Sequence, residues 1–317
     1  MKNFQGLCLS TFLMAFGTLA NAASDTGISV DLTPYQNRPV IADFTAPSCP
    51  DNPRALQKVE GNLYRHTTGA GLAVHSGLVL ITSEGALVID PAMTCTSTWL
   101  KEEIKKRFKV DVKYVVYTHA HADHISGGQI FQQAGATIVA NQRVLEPIFG
   151  EKLPTAIPNK VFDKDMEITL GGETVLLHRV APSHSDSMVM VLFPKYKALQ
   201  CTDVCESKSM PYNDFLDFYY PGWIETLDWV LAQDINFIDV GHYTPATKSD
   251  QLALKNYMVD LHQQVLDLTR KGQTWDQLYR HVKFSPEVKQ WIGFESMKTL
   301  NILGMHRWVV NHRRGGW

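Results

Sequence analysis

An apolar run, Val112-Lys-Tyr-Val-Val-Tyr117, leads without a break into Thr118-His-Ala-His-Ala-Asp-His-Ile-Ser-Gly-Gly128. A stretch that is apolar on both faces reads as a strand buried inside a sheet. The six residues after Thr118 then hold His119, His121, Asp123 and His124. Three imidazoles and a carboxylate beside a buried strand are costly if they have no partner. Imidazole and carboxylate together are the donor set of zinc and of other first-row metals. Any fold for this chain must therefore carry a metal-binding loop on the end of an interior strand.

The flanking pattern is layered. Short β runs are expected at 63–67, 71–82 and 86–90, with Gly77 and Glu84-Gly85 as turns. A helix is expected over 94–108, with a Thr cap and a basic end. After the strand at 112–117 come a helix over 124–134, a strand at 137–140 and a short helix over 144–150. A second β series is expected at 167–170, 174–180, 187–193 and 197–202, with Gly171-Gly172 as a hairpin turn. A helix over 223–233 and a strand at 236–240 follow. The C-terminal part is mainly helical, near 248–271, 274–282 and 295–312. Two β-rich halves, each followed by helix, strand and loop, suit an α/β (α+β layered) sandwich with helices outside two packed sheets.

Several classes are excluded or bounded by composition. A net charge of -2 over 317 residues leaves no electrostatic footprint for nucleic acid. No apolar run long enough to span a bilayer follows the N-terminal segment. That segment itself, with Lys2, an apolar stretch over 6–19 and Ala20-Asn21-Ala22, reads as a signal peptide over 1–22. The expected mature protein is exported, into the periplasm, and has no membrane contact once the signal is removed. Cys49, Cys95, Cys201 and Cys205 then remain, an even number in an oxidising compartment. Of the three pairings, Cys49–Cys95 with Cys201–Cys205 is the one expected, against a free Cys201 or Cys205 near the metal. Residues 23–58, rich in Pro, Asp, Asn and Ser, read as an extended arm. The main domain is expected over 59–247, and a helical extension packed on it over 248–317.

Three further candidate ligands stand in loops at strand ends, where a rigid scaffold presents functional groups. His184 lies between two expected strands, Asp203 follows the strand ending near Cys201, and His242 follows the strand at 236–240. With Asp90 at the end of an earlier strand, the HxHxDH loop at 119–124, His184, Asp203 and Gly241-His242 occur in one order and at spacings that resemble the metallo-β-lactamase superfamily. The resemblance runs from about residue 62 to about residue 250. It implies an αββα four-layer sandwich with metals in a cleft at the sheet edges. It implies His119, His121 and His184 around one ion, Asp123, His124 and His242 around a second, and Asp203 bridging them. Asp90 corresponds to an outer carboxylate that orients the ligand loop.

The implied cofactor is a pair of zinc ions per chain, with iron or manganese also compatible. The implied activity is hydrolysis of a small-molecule ester, thioester, lactone or amide carbonyl by a metal-bound hydroxide. Asp123 would guide a proton to the leaving group, and Tyr243 could donate to an oxyanion or simply pack at the cleft edge. Two positions depart from the family pattern: Thr202 stands where Gly is usual, and Tyr243 where a small residue is usual. Lactam-cleaving members generally carry Cys or Ser at the position of Asp203, so a β-lactamase is the weaker reading. A single-iron sulfur dioxygenase-like oxidoreductase and a non-catalytic metal-binding accessory protein are the rival functions. The aromatic segment 212–223 could overhang the metals or pack the following helix. Of the remaining histidines, His66, His178, His262, His281, His306 and His312 read as structural, while His75 could approach the cleft.

Overall fold

The strand read at 112–117 forms as β6 (Val112–Tyr117), inside an eight-stranded sheet. The computed structural model describes residues 28–29, 52–70 and 74–312. In chain order the other members of this sheet are β1 (Ile28–Ser29), β2 (Arg54–Glu60), β3 (Leu63–Thr68), β4 (His75–Thr82), β5 (Gly85–Ile89), β7 (Thr137–Asn141) and β8 (Lys160–Phe162). Their spatial order is β1-β8-β7-β6-β5-β4-β3-β2. The run from β5 to β8 is parallel, and the pairings outside it are antiparallel. A second, five-stranded sheet is built from β9 (Asp165–Leu170), β10 (Glu173–Arg179), β11 (Val189–Phe193), β12 (Ala198–Gln200) and β13 (Phe237–Asp239), ordered β13-β12-β11-β10-β9.

Side chains alternate across each strand, so every interior strand feeds two cores. From β4 and β5, Leu78, Leu80, Leu87 and Ile89 meet Ile168, Val175, Leu177 and Val191 of the second sheet. Their neighbours Val79, Ile81 and Val88 face the other way, onto Leu100 and Ile104 of α1 (Thr94–Phe108). The outer face of the second sheet, with Met190, Leu199 and Ile238, is covered by three helices. These are α5 (Tyr220–Ala232), α6 (Lys248–Arg270) and α8 (Phe294–His312), with α7 (Leu278–His281) between the last two. The result is the expected four-layer αββα sandwich. No helix among the described residues is long and apolar enough to cross a membrane.

Two local expectations are corrected. The helix expected over 124–134 is two short pieces, α2 (Ala122–Ile125) and α3 (Gly128–Gln132). The break is set by close approach. A Cβ on Gly127 would lie 1.8 Å from Ser97 Oγ, and one on Gly128 would lie 1.7 Å from Tyr117 Oη. The glycines let the ligand loop press its backbone onto α1 and β6, and Gly127 N–H donates to Ala92 O at 2.7 Å. The second correction concerns the arm at 23–58. Its end, from Arg54, is already strand β2, and Ile28–Ser29 pair with β8. In β2 only Leu56 is fully buried, so this edge strand carries almost no hydrophobic alternation to read. The remaining short helix over 145–150 is α4 (Leu145–Gly150). The leader at 1–22, the rest of the arm and Cys49 lie outside the described residues.

Replacing Gly128 with Ala forces a methyl into the Tyr117 hydroxyl. Overpacking of this kind costs about 1–3 kcal/mol. Urea denaturation of metal-free protein should show Gly128→Ala lowering the midpoint with an unchanged slope.

Candidate metal centre

The interior strands end at one edge of the sandwich. There β5 delivers Asp90, β6 delivers Thr118 and the loop from His119 to His124, β12 delivers Asp203, and β13 delivers His242. The connection between β10 and β11 supplies His184, and the first residue of β4 is His75. The chain turns sharply at these exits: Asp90 has φ 45°, Asp203 φ 61° and Tyr243 φ 50°. Non-glycine residues in that region mark a backbone held by its surroundings.

Asp90 organises the ligand loop. It is fully buried and accepts from Thr118 N–H at 2.8 Å, from the Thr118 hydroxyl at 2.7 Å and from the Thr202 hydroxyl at 2.9 Å. The departure at Thr202 therefore has a use: its hydroxyl ties the Asp203 turn to Asp90. Burial pushes the Asp90 carboxyl up to about 6, against the pull of His124 and these donors. The Thr118 oxygen, having donated to Asp90, accepts from His119 Nδ1 at 3.0 Å, which turns His119 Nε2 inward. His242 Nδ1 lies 2.8 Å from Val74 O, which leaves its Nε2 facing the centre in the same way.

Asp203 is the hub. Its Oδ2 lies 3.3 Å from His119 Nε2, 3.1 Å from His124 Nε2 and 3.3 Å from His184 Nε2, and its Oδ1 lies 3.0 Å from His242 Nε2. His121 Nδ1 lies 3.0 Å from His184 Nε2. Asp123 Oδ2 lies 3.3 Å from His124 Nε2 and 3.9 Å from His242 Nε2. Three groups of side chains converge closely enough to hold an ion: His119, His121, His184 and Asp203; His124, Asp203 and His242; and His75, Asp123 and His242. All seven ligands expected from the sequence are thus brought together.

The donor atoms also fit a metal chemically. His119 Nε2, His124 Nε2 and Asp203 Oδ1 are buried with no hydrogen-bond partner, a state that needs an explanation such as an ion. The cluster sets imidazoles against carboxylates. Burial pushes His119 down to about 3, the neutral form a metal requires. Burial also acts to lower His124, but the carboxylates of Asp203 and Asp123 outweigh it and hold it well above its ordinary value. Burial acts to raise Asp203, and the imidazoles of His124 and His242 hold it well below the carboxylate range.

The centre opens into a cleft of about 430 Å³ whose lining includes Tyr212, Phe215, Leu216, Asp217, Trp223 and Tyr243. The aromatic segment divides its labour. Phe215 and Trp223 are buried and pack with Phe218, while Tyr212 and Leu216 stand exposed at the mouth. Tyr243 lines the cleft, and burial pushes its hydroxyl up to about 12, so it keeps its proton and can donate.

Some residues of the site carry little or no sequence signal. His75 Nε2 is 3.2 Å from Asp123 Oδ2, and an isolated β-bridge pairs His75 with His242. Its faint signal is its place at the head of a strand that begins at the ligand cleft. Asp217 Oδ2 lies 3.3 Å from His121 Nε2, and no local pattern marks it. Arg65, on β3, donates to Asp239 Oδ1 and to Tyr243 O, each at 2.8 Å, and fixes the turn that carries His242. The Cys201–Cys205 disulfide, with Cα atoms 5.6 Å apart, encloses the Asp203 turn. Cys95 is disulfide-bonded as well, while Cys49, its expected partner, lies outside the described residues.

With the fold and the centre in view, residues 69–242 match the sequence model of the metallo-beta-lactamase superfamily. The chain belongs to that superfamily. It is 28% identical over 196 residues to a metallo-beta-lactamase type 2 from Bacillus cereus, covering 59% of this chain and 76% of that protein. Among solved structures it resembles a metallo-beta-lactamase from Pontibacter korlensis, with TM-score 0.58 and 20% identity over 65% of this chain and 99% of that one. It also resembles the inverting sec-alkylsulfatase Pisa1 from Pseudomonas sp., with TM-score 0.66 and 16% identity over 82% of this chain and 51% of that one.

Glu206, another residue of the cleft wall, is buried beside a Ser209 hydroxyl, and burial pushes its carboxyl up to about 8. A raised folded pKa means that the folded state holds this proton more tightly than the unfolded chain. Its contribution to stability is complete below the unfolded carboxylate range and is lost as pH rises towards 8. Thermal unfolding of metal-free protein at pH 5 and pH 9 should show Glu206→Gln losing less stability across that interval than the wild type.

Proposed function

We propose that this chain is an exported hydrolase that holds two divalent ions, zinc by its donor set, and cleaves an uncharged ester, thioester, lactone or amide. The observation that carries the reading is the buried Asp203 carboxylate facing four imidazoles whose inward nitrogens include two without hydrogen bonds. His119, His121 and His184 would hold one ion, Asp123, His124 and His242 the other, and Asp203 both; His75 stands behind Asp123 and His242. When bound, such ions supply a Lewis acid and bring the pKa of coordinated water down to about 7.

The remaining work falls to the chain. Asp123, 43% exposed at its side chain, lies at the open side of the centre, where the carboxylate oxygen not turned to the imidazoles can receive a proton and pass it to a leaving group. Tyr243 offers a protonated hydroxyl from the β13 exit. Phe215, Leu216 and Trp223 form the apolar part of the wall, shield the reacting carbonyl from bulk water and offer area to an apolar substrate group. The disulfides at Cys95 and at Cys201–Cys205 support an oxidising compartment.

Charge narrows the substrate. Among the described residues the cleft lining carries Asp123, Asp203, Glu206 and Asp217 but no Lys or Arg. A carboxylate or sulfate held away from the two ions would find no protein cation to offset its desolvation. That supports a neutral substrate over a β-lactam or an alkyl sulfate, the substrates suggested by the names of the similar proteins.

Assayed with paired aryl esters, the zinc-loaded protein should cleave phenyl acetate with kcat/KM at least about tenfold above that for 4-carboxyphenyl acetate, a difference of about 1.4 kcal/mol. His121→Ala should lose both activities. Equal or better use of the anionic ester would contradict the neutral-substrate reading, and undiminished hydrolysis by His121→Ala would contradict the mechanism.

A further inference from the structure

The helix α8 lies outside residues 69–242 that match the superfamily, yet it holds a loop of the cleft. Asn301, fully buried, donates through Nδ2 to Pro211 O at 2.9 Å and to Asn213 O at 2.7 Å, and its Oδ1 accepts from Tyr257 at 2.9 Å. Arg307 grips Asp214 twice, through Oδ2 at 2.7 Å and through the backbone carbonyl at 2.5 Å. Trp308 packs on Phe218 and Tyr219. Gly304 lets the loop come so near that a Cβ there would lie 2.0 Å from Asp214 O. Within the loop Asn213 and Phe215 are held at φ 55° and 56°, a region that Phe rarely adopts. The helix thus dictates the loop's conformation by several independent contacts.

Asp217 lies inside the segment so held. Its two oxygens face the outer nitrogens of two candidate ligands: Oδ2 lies 3.3 Å from His121 Nε2, and Oδ1 lies 3.9 Å from His184 Nδ1. The other nitrogens of the same rings, His121 Nδ1 and His184 Nε2, point inward and lie 3.0 Å apart. A carboxylate behind an imidazole keeps the proton on the outer nitrogen and leaves the inner lone pair free for a metal. Here the carboxylate stands 3.3 Å behind the His121 ring, while the His184 ring, at 3.9 Å, lies beyond direct hydrogen-bond reach.

We propose that Asp217 is a positioning residue for the ion held by His119, His121 and His184, and that α8 sets its place through the 211–219 loop. The proposal rests on the metal reading above and gives the C-terminal helical segment a role in the centre. Removing such an outer carboxylate weakens metal affinity by about 10–100-fold. The effect should be confined to one of the two ions, because Asp217 faces none of His124, His242 or Asp123 among the ion pairs of the centre.

The test is competition of zinc between the full-length protein and a chromogenic chelator, resolved into two stepwise constants. Wild type should bind two ions. Asp217→Ala should weaken one constant at least about tenfold and leave the other within about twofold. Asp217→Asn, which keeps an acceptor oxygen, should recover part of the loss. Arg307→Ala should weaken the same constant, and Arg307→Lys should restore part of it. Unfolding of the metal-free variants, followed in parallel, separates a positioning effect from general destabilisation. Unchanged constants in Asp217→Ala, or equal weakening of both together with a lower metal-free Tm, would overturn the proposal while leaving the two-ion reading intact. A wild type that binds no zinc would overturn both.

Discussion

A carboxylate buried among four imidazoles governs the architecture of this protein. Asp203 lies within 3.3 Å of His119, His124, His184 and His242, which reach it from three separate strand exits. An unpaired buried carboxylate costs several kcal/mol, so it persists only where surrounding charge repays that cost. Part of that repayment comes from the imidazoles, with His124 raised and Asp203 depressed. Cations in the same place would do it better, since the neutral imidazoles could then turn their lone pairs inward. The sheets, the sharp exits and the helices fix these side chains relative to Asp203.

The support around the hub is hydrogen-bonded and buried. Asp90 accepts three bonds that join β5, the ligand loop and the Asp203 turn. Gln200 of the second sheet extends the network, accepting from Leu78 N–H of the first sheet and donating to Thr202 in the turn after β12. On the far side Arg65 and Asp239 lock the turn that carries His242. Buried polar groups with complete partners rigidify a site. Several of those left without partners lie where an ion would sit, among them His119 Nε2, His124 Nε2 and Asp203 Oδ1.

Much of this was legible in the sequence. The helix over 94–108 and the strand over 112–117 form with the bounds expected; the helix has its basic last turn, but its N-cap is Met93, with no side-chain cap bond, and not the expected Thr. The seven side chains that converge on the centre could be read as candidates because HxHxDH is dense and each of the others follows a strand. What escaped has physical reasons. The break at Gly127-Gly128 is a matter of contact with Ser97 and Tyr117, on elements outside the ligand loop. Strand β2 is an exposed edge with little apolar pattern. Asp217 and Arg65 act through partners 96 and 174 residues distant, respectively His121 and Asp239, separations that no local spacing encodes. The aromatic segment divides, since burial assigns Phe215 and Trp223 to the core and leaves Tyr212 and Leu216 exposed on the cleft lining.

The central claim is that the cluster around Asp203 is a two-ion site. Native mass spectrometry of the protein purified without added metal, then titrated with zinc, measures this directly. Wild type should show a mass shift of two zinc ions per chain, reduced in Asp203→Ala. A wild-type chain that takes up a single iron, or that stays metal-free at saturating zinc, would contradict it.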